Sequence, residues 1–443
     1  MFSSFRNLFY TGGSAAVEGN PAGALEAMIE KWRGNRIDNY RHMPSDIREH
    51  AGIEETVTAG GYGYRQILEL VQNGADAILE EQDPQCQDAG ERNSESRIHV
   101  HFDGHRLYVA NTGTPLTREG IEALLMSHSS PKRSNQIGRF GIGFKSLLRL
   151  GGTIDIFSRT VSLRFDPRRC QEEIRAACGL TEDAAAPSLR LAWCLDPQRE
   201  VALDPHLASY GWASTVVRAD VKNLHMPAHI GEEIRSFPAR FLLFLPIPVE
   251  LVLDAPSEKP RRITREVQDN TIRLLDGEEQ SLWRIYEQQV RITDEAARAD
   301  ATHLHQRNEV PLAWAIPVDS RRQEAGSFWA FFPTRSQTRI PGILNAPWKL
   351  NSDRQAIIEG EWNRMLMTVA ARMIVDALPG LADSGAPGQV MDYFPRALDR
   401  KDELAATMVD AIWAEITRAT VVPDASGELR PGSALLRMPL DDG

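Results

Sequence analysis

The sequence predicts an α+β fold in at least two domains, and three observations carry that expectation. At 443 residues the chain is too long for one ordinary compact domain and has room for about two or three. Residues 97–110 read as an antiparallel hairpin, two alternating runs joined by the turn pair Asp103-Gly104. Strong helical periodicity appears at 64–81 and again at 361–377, so both element types are present without regular strand–helix–strand alternation.

Composition excludes several classes. Apolar residues make up 42% and charged residues 25%, a soluble globular balance that argues against wholesale disorder. Fifty Lys+Arg against sixty-one Asp+Glu give a net charge of −11, which disfavours a surface made for nucleic acid or anionic lipid, although a local basic groove stays open. The longest apolar stretch, 241–249 (FLLFLPIPV), is short and holds two prolines, so no membrane span is expected. The first twenty residues have one Arg and no continuous apolar core, unlike a secretory signal. Cys86, Cys170, Cys178 and Cys194 form no CxxC pair and have no His at zinc spacing, so free thiols in a reducing cytoplasm are expected.

Residues 1–20 carry Gly, Ser and Asn with little periodicity and are expected to form a loose arm. Helical patterns follow at 24–32 (ALEAMIEKW) and 64–81 (YRQILELVQNGADAILEE), then a polar loop at 83–96. After the hairpin, the glycine-punctuated stretch 137–150 (IGRFGIGFKSLLRL) reads as a loop running into a helix. Strand-like runs resume at 153–165, near 189–194 and at 213–218, with a helical insertion plus loop at 166–188. The second half shows a helix pattern at 230–242, alternation at 271–275, 282–292 and 328–333, and helices at 361–377 and 402–418. The expected organisation is an arm at 1–20, a first domain at 21–228, a second at 229–380, and a linker with a partial C-terminal region at 381–443. That turn-rich end reads as a fragment of something longer. Trp283, Trp314, Trp329, Trp348 and Trp362 are expected to anchor the second core, and His99, His101 and His105 to be exposed strand histidines.

On a helical wheel of 64–81, Ile67, Leu68, Val71, Ala75 and Ile78 make an apolar stripe, whereas Glu69, Asn73, Asp76 and Glu80 share a polar face. A solvated amphipathic helix gives the same pattern. A carboxylate one turn from an amide is also what a metal–phosphate site uses, an oxygen ligand for Mg²⁺ and a group to orient a water. Gly138-Arg139-Phe140-Gly141-Ile142-Gly143-Phe144 places three glycines at the opening of a helix, where backbone N–H groups can face phosphate oxygens. It is not the dinucleotide fingerprint, because no preceding βαβ unit with an acidic ribose ligand is evident, nor a Walker loop, because no Gly-Lys-Ser/Thr follows.

In order, ELVQNGADA (69–77), VANTGTP (109–115), IGRFGIGFKS (137–146) and STVV (214–217) resemble the GHKL ATPases: the gyrase B subunit, the ninety-kilodalton heat-shock chaperones, histidine kinases and MutL. The resemblance implies a Bergerat-type sandwich binding ATP with Mg²⁺. Glu69 would be the general base for the attacking water, Asn73 the side-chain Mg²⁺ ligand, and Asp76 a supporting group. Where the family has D-x-G-x-G, this chain reads Asn111-Thr112-Gly113-Thr114-Pro115, so a neutral amide replaces the charged acceptor for the adenine amino group and proline replaces the second glycine. Residues 126–136 would be the nucleotide lid, with Ser129, Ser130 and Lys132 near ribose or phosphate. Gly138, Gly141 and Gly143 would line the phosphates, and Thr215 would sit near the adenine.

In the second domain, Leu350-Asn351-x-x-Arg354 is similar to the catalytic-loop pattern of the heat-shock chaperones' middle domain. This implies Arg354, or failing it Lys349, as the γ-phosphate cation. The run from FWAFFPTRSQT to EWN also resembles sacsin-like proteins, and the likeness covers roughly 45–370. The function implied is slow ATP hydrolysis driving lid closure in a chaperone- or clamp-like protein, with protein partners or clients and a nucleotide-dependent homodimer as candidate assemblies. The company such modules keep suggests bacterial stress or anti-phage defence. A nucleotide-binding scaffold without hydrolysis, and a DNA-processing ATPase of the MutL or gyrase type, are the alternatives.

Overall fold

The computed structural model describes residues 21–59, 65–82, 95–126, 142–269, 271–301, 308–318, 326–351, 354–395 and 403–435. Helices and strands are mixed, as an α+β fold requires. The described residues form two compact units, one running to Phe237 and including Leu245–Thr264, the other comprising Pro238–Phe244 and the residues from Arg265 onward.

The first unit opens with α1 (Pro21–His42), α2 (Ser45–Ala59) and α3 (Gln66–Gln82), followed by the hairpin β1 (Arg97–Phe102) and β2 (Arg106–Asn111). Then come α4 (Arg118–Leu125), α5 (Ile142–Lys145), β3 (Gly151–Ser158), β4 (Ser162–Phe165), α6 (Pro167–Cys178), β5 (Trp193–Cys194), α7 (Pro197–Leu203), β6 (Thr215–Val221), α8 (Met226–Arg235), β7 (Glu250–Asp254) and β8 (Arg261–Gln268). Its sheet runs β8-β7-β1-β2-β6-β3-β4-β5, with β1 and β7 parallel and the other pairs antiparallel.

Two-residue periodicity divides the central strands between two environments. Tyr108, Ala110, Phe157 and Val216 enter one buried cluster with Leu207 and Tyr210, whereas Val109, Asn111, Ile156, Thr215 and Val217 line a pocket. On the clustered side, the buried Arg218 reaches Asp155 and Glu200 at 2.5 Å and Asp204 at 2.9 Å, and Tyr108 donates to Asp204 at 2.8 Å. Each buried charge is thereby paired; removing Arg218 would take away the partner the three carboxylates share, leaving Arg164 beside Asp155 and Glu200 and Arg106 beside Asp204, at about 3–5 kcal/mol.

The second unit contains β9 (Thr271–Asp276), β10 (Glu279–Arg291), α9 (Glu295–Asp300), β11 (Glu309–Pro317), β12 (Ser327–Ala330), β13 (Phe332–Gln337), β14 (Ile343–Asn345), α10 (Glu361–Ala377) and α11 (Glu403–Arg418). Its strands run β13-β12-β14-β11-β10-β9. All five tryptophans expected as core anchors are buried. The stretch read as a linker contributes Val390, and α11 contributes Met408, Ile412 and Ile416, to the same core as Trp314 and Trp362. Residues beyond 380 therefore share this unit's interior.

Several elements differ from the sequence reading. The helix expected at 24–32 runs from Pro21 to His42, and α2 has no counterpart because its sequence, SDIREHAGIEETVTA, is too polar to show a stripe. The helix expected at 230–242 is α8, which ends at Arg235 before a separate 3₁₀ turn, Ala239–Phe244. Strand β8 (RRITREVQ) is mostly exposed, and β11 (EVPLAWAIP) is a mainly buried strand punctuated by prolines, so neither alternates cleanly. His99 and His101 are half-buried rather than exposed: His101 stacks on His206 at 4.2 Å and bonds Asp254 at 2.7 Å, and burial first, then His101, pushes His99 down to about 4.

Candidate functional site

A pocket of about 720 Å³, counting its open mouth, lies in the first unit between α3 and the sheet. One side is a single helical face, Leu70, Asn73, Ala77 and Glu80, spaced at 3, 4 and 3 residues. The floor is Val109 and Asn111 of β2, Ile156 of β3, and Thr215 and Val217 of β6. The loop 114–117, Gly120 and Leu124 of α4, and Phe144 of α5 complete it.

Two glycines set how closely α3 approaches the sheet. At Gly74 a Cβ would stand 3.1 Å from the Asn111 Cβ and 3.3 Å from the Ile98 Cδ1, so a larger side chain would lift the helix. At Gly113 (φ +103°) a Cβ would come within 2.5 Å of the Ala77 backbone. Thr114 N donates to Ala77 O at 2.9 Å, which fastens the loop to the helix.

Hydroxyls fix the rest of the loop. Ser158 accepts from Leu116 N at 2.8 Å, Thr160 donates to Leu116 O at 2.6 Å, and the Ser158 and Thr215 hydroxyls are 3.3 Å apart. Thr117 caps α4 by accepting from Gly120 N. Asn111 is buried, and its Nδ2 donates to Thr112 O at 2.7 Å, so the amide oxygen is the end left for a ligand. Pro115 lines the pocket with no backbone donor to satisfy.

Of the residues singled out from sequence, Asn73, Asn111, Phe144 and Thr215 meet in this pocket. Glu69 and Asp76 are buried on α3, 3% and 1% exposed, and do not line it; the polar face seen on the wheel is therefore not a solvated one. Gly113 is the joint between loop and helix. Ile142 and Gly143 open α5. Ser129, Ser130, Lys132, Gly138, Arg139, Phe140 and Gly141 lie outside the described residues.

Lys349 and Arg354 belong to the second unit. Lys349 Nζ reaches the Asp300 carboxylate at 2.5 Å and the Asp300 carbonyl at 2.7 Å, and Asp300 also accepts from Trp362 N at the start of α10. This lysine thus serves a helix terminus. Arg354 stands in a tight loop where Asn351 Oδ1 accepts from Gln355 N and Ala356 N, both at 3.1 Å, and its own φ is +56°.

Sequence reasoning misses Gly74, Ser158, Thr160 and Lys145. Lys145 follows the glycine stretch and is buried; desolvation first, then the Arg190 guanidinium, pushes its amine down to about 8. No sequence pattern marks Ser158 or Thr160, whose partners are backbone atoms more than forty residues away.

Chemically, the pocket offers an apolar slot, neutral hydrogen-bonding groups at Asn73, Asn111, Thr114 and Thr215, and one charged side chain among its described lining residues, Glu80. That combination suits a flat, partly polar ring system with hydroxyls, rather than phosphates buried in the slot itself. No protein-family model matches the chain, and no curated protein matches it. Among the described residues no helix is long and apolar enough to cross a membrane, and no group of three His, Cys, Asp or Glu could hold a metal.

Proposed function

We propose that the chain binds ATP with Mg²⁺ in the pocket beneath α3 and hydrolyses it slowly, as a GHKL-type ATPase on a Bergerat-type fold. The observation that carries the reading is the convergence in one pocket of Asn73, Asn111, Phe144 and Thr215, one residue from each of the four motif stretches. The adenine would lie between the α3 face and the strands, with its amino group donating to the Asn111 oxygen. Mg²⁺ prefers oxygen ligands and is commonly held by one or two protein groups plus substrate phosphates, so a single amide oxygen from Asn73 fits it. The metal would supply positive charge at the phosphate oxygens.

Glu69, one turn before Asn73 and buried, would take the proton from the attacking water. Arg354 is the resemblance's first candidate for the γ-phosphate cation, with Lys349, which bonds Asp300, after it. Nucleotide-driven closure would then do mechanical work on a protein client, with a nucleotide-dependent homodimer as a natural assembly. The neutral Asn111 and the rigid Pro115 favour a second reading, a nucleotide-binding scaffold with negligible turnover.

Calorimetry with a non-hydrolysable ATP analogue tests binding. Wild type should bind in a Mg²⁺-dependent manner, and Asn73→Ala should lose that dependence. An analogue that does not bind wild type, or an Asn73→Ala protein with unaltered metal dependence, would remove the proposal.

A further inference from the structure

The first turn of α3 is held by a residue 165 positions away. Glu233 of α8 accepts through Oε1 from Ile67 N at 2.9 Å and from Leu68 N at 3.1 Å. These are two of the N–H groups that an α-helix cannot satisfy internally. The next one, Glu69 N, bonds Arg65 O at 3.1 Å. Glu233 is therefore the N-cap of the helix that carries Glu69, Asn73 and Ala77, supplied from another element.

Its second oxygen is buried and has no hydrogen-bond partner among the described residues. An ionised carboxylate in that position would keep half its charge unsolvated, whereas a neutral acid can still accept both N–H groups through its carbonyl oxygen and strands only a hydroxyl. Burial is the dominant influence and pushes the carboxyl up to about 8, against the N–H bonds from Leu68 and Ile67 and the charge of Arg65, which favour ionisation; Glu69 opposes it. On its own helix Arg235 is occupied by Glu232 and by Glu258.

We propose that Glu233 is a positioning residue of the nucleotide site: it docks on the first turn of α3 as a neutral acid, and ionising it undocks it. The nucleotide part rests on the function proposed above; the docking part does not. The docked group keeps its proton between its ordinary 4.5 and about 8, while an undocked one in water has lost it. Docking should thus weaken by up to about tenfold per pH unit across that window and level off above it.

Hydrogen exchange of the full chain, followed at residues 65–70 and corrected for the intrinsic pH dependence, reads docking without nucleotide. Wild type should lose at least about tenfold in protection between about pH 5.5 and pH 7.5. Glu233→Gln, which keeps an acceptor and cannot ionise, should be protected equally at both, and Glu233→Ala at neither. A Glu233→Gln profile that parallels wild type, or an Ala variant as protected as wild type, would overturn the proposal. Affinity for Mg·ATP should fall with the same profile in wild type alone. Affinity that stays level while protection falls would confine Glu233 to folding and overturn the positioning role. A missing Mg·ATP signal beside an intact exchange profile would instead overturn the nucleotide reading.

Discussion

Gly113 rests directly on the peptide of Ala77, so closely that a Cβ at position 113 would lie 2.5 Å from both the carbonyl carbon and the oxygen of Ala77. The same oxygen accepts from Thr114 N. One contact therefore joins the helix and the loop that form two walls of the pocket. Gly113→Ala adds a left-handed penalty to a collision with backbone, which cannot rotate away as a side chain could. The variant should lose at least about 2 kcal/mol of stability in thermal unfolding, with weaker pocket binding. A Tm equal to wild type would mean that the loop is not fastened in this way.

Ser158 is a second fastening point. It is 1% exposed and supplies the acceptor for Leu116 N. Ser158→Ala would leave that N–H unsatisfied at a cost of about 1–3 kcal/mol, and should weaken nucleotide binding by loosening 114–117. Equal stability in denaturant titration would show that the hydroxyl contributes nothing there.

Arg354 can be separated from its backbone. A non-glycine residue at φ +56° carries left-handed strain of about 1–2 kcal/mol, which glycine relieves. Arg354→Gly trades that relief against the contacts its side chain makes, and should lower ATP turnover with ADP affinity unchanged. A drop in stability together with lost ADP binding would assign the side chain a structural role.

The face of α3 is legible in sequence because a 3.6-residue period marks it, and the hairpin because Asp103-Gly104 sits between two alternating runs. Asn73 stands out on the same wheel, whereas Asn111 and Thr215 are singled out only through the family resemblance of their motif stretches. What holds those elements together is not. Glu233 caps α3 from 165 residues away, and Ser158 and Thr160 act on backbone atoms of a distant loop, contacts that no local period encodes. Lys349 and Arg354 lie close together in sequence and look alike as cations, yet only the fold shows that one is tied to Asp300. The wheel groups Glu69 with Glu80 as one polar face; packing buries the first and brings the second to the pocket wall.

Steady-state phosphate release by wild type and by Glu69→Ala, each with Mg·ATP binding measured alongside, tests the central claim most directly. The account predicts slow, Mg²⁺-dependent release by wild type, none above background by Glu69→Ala, and nucleotide binding retained by both. Release undiminished in Glu69→Ala, or wild type that neither binds nor turns over ATP, would contradict it.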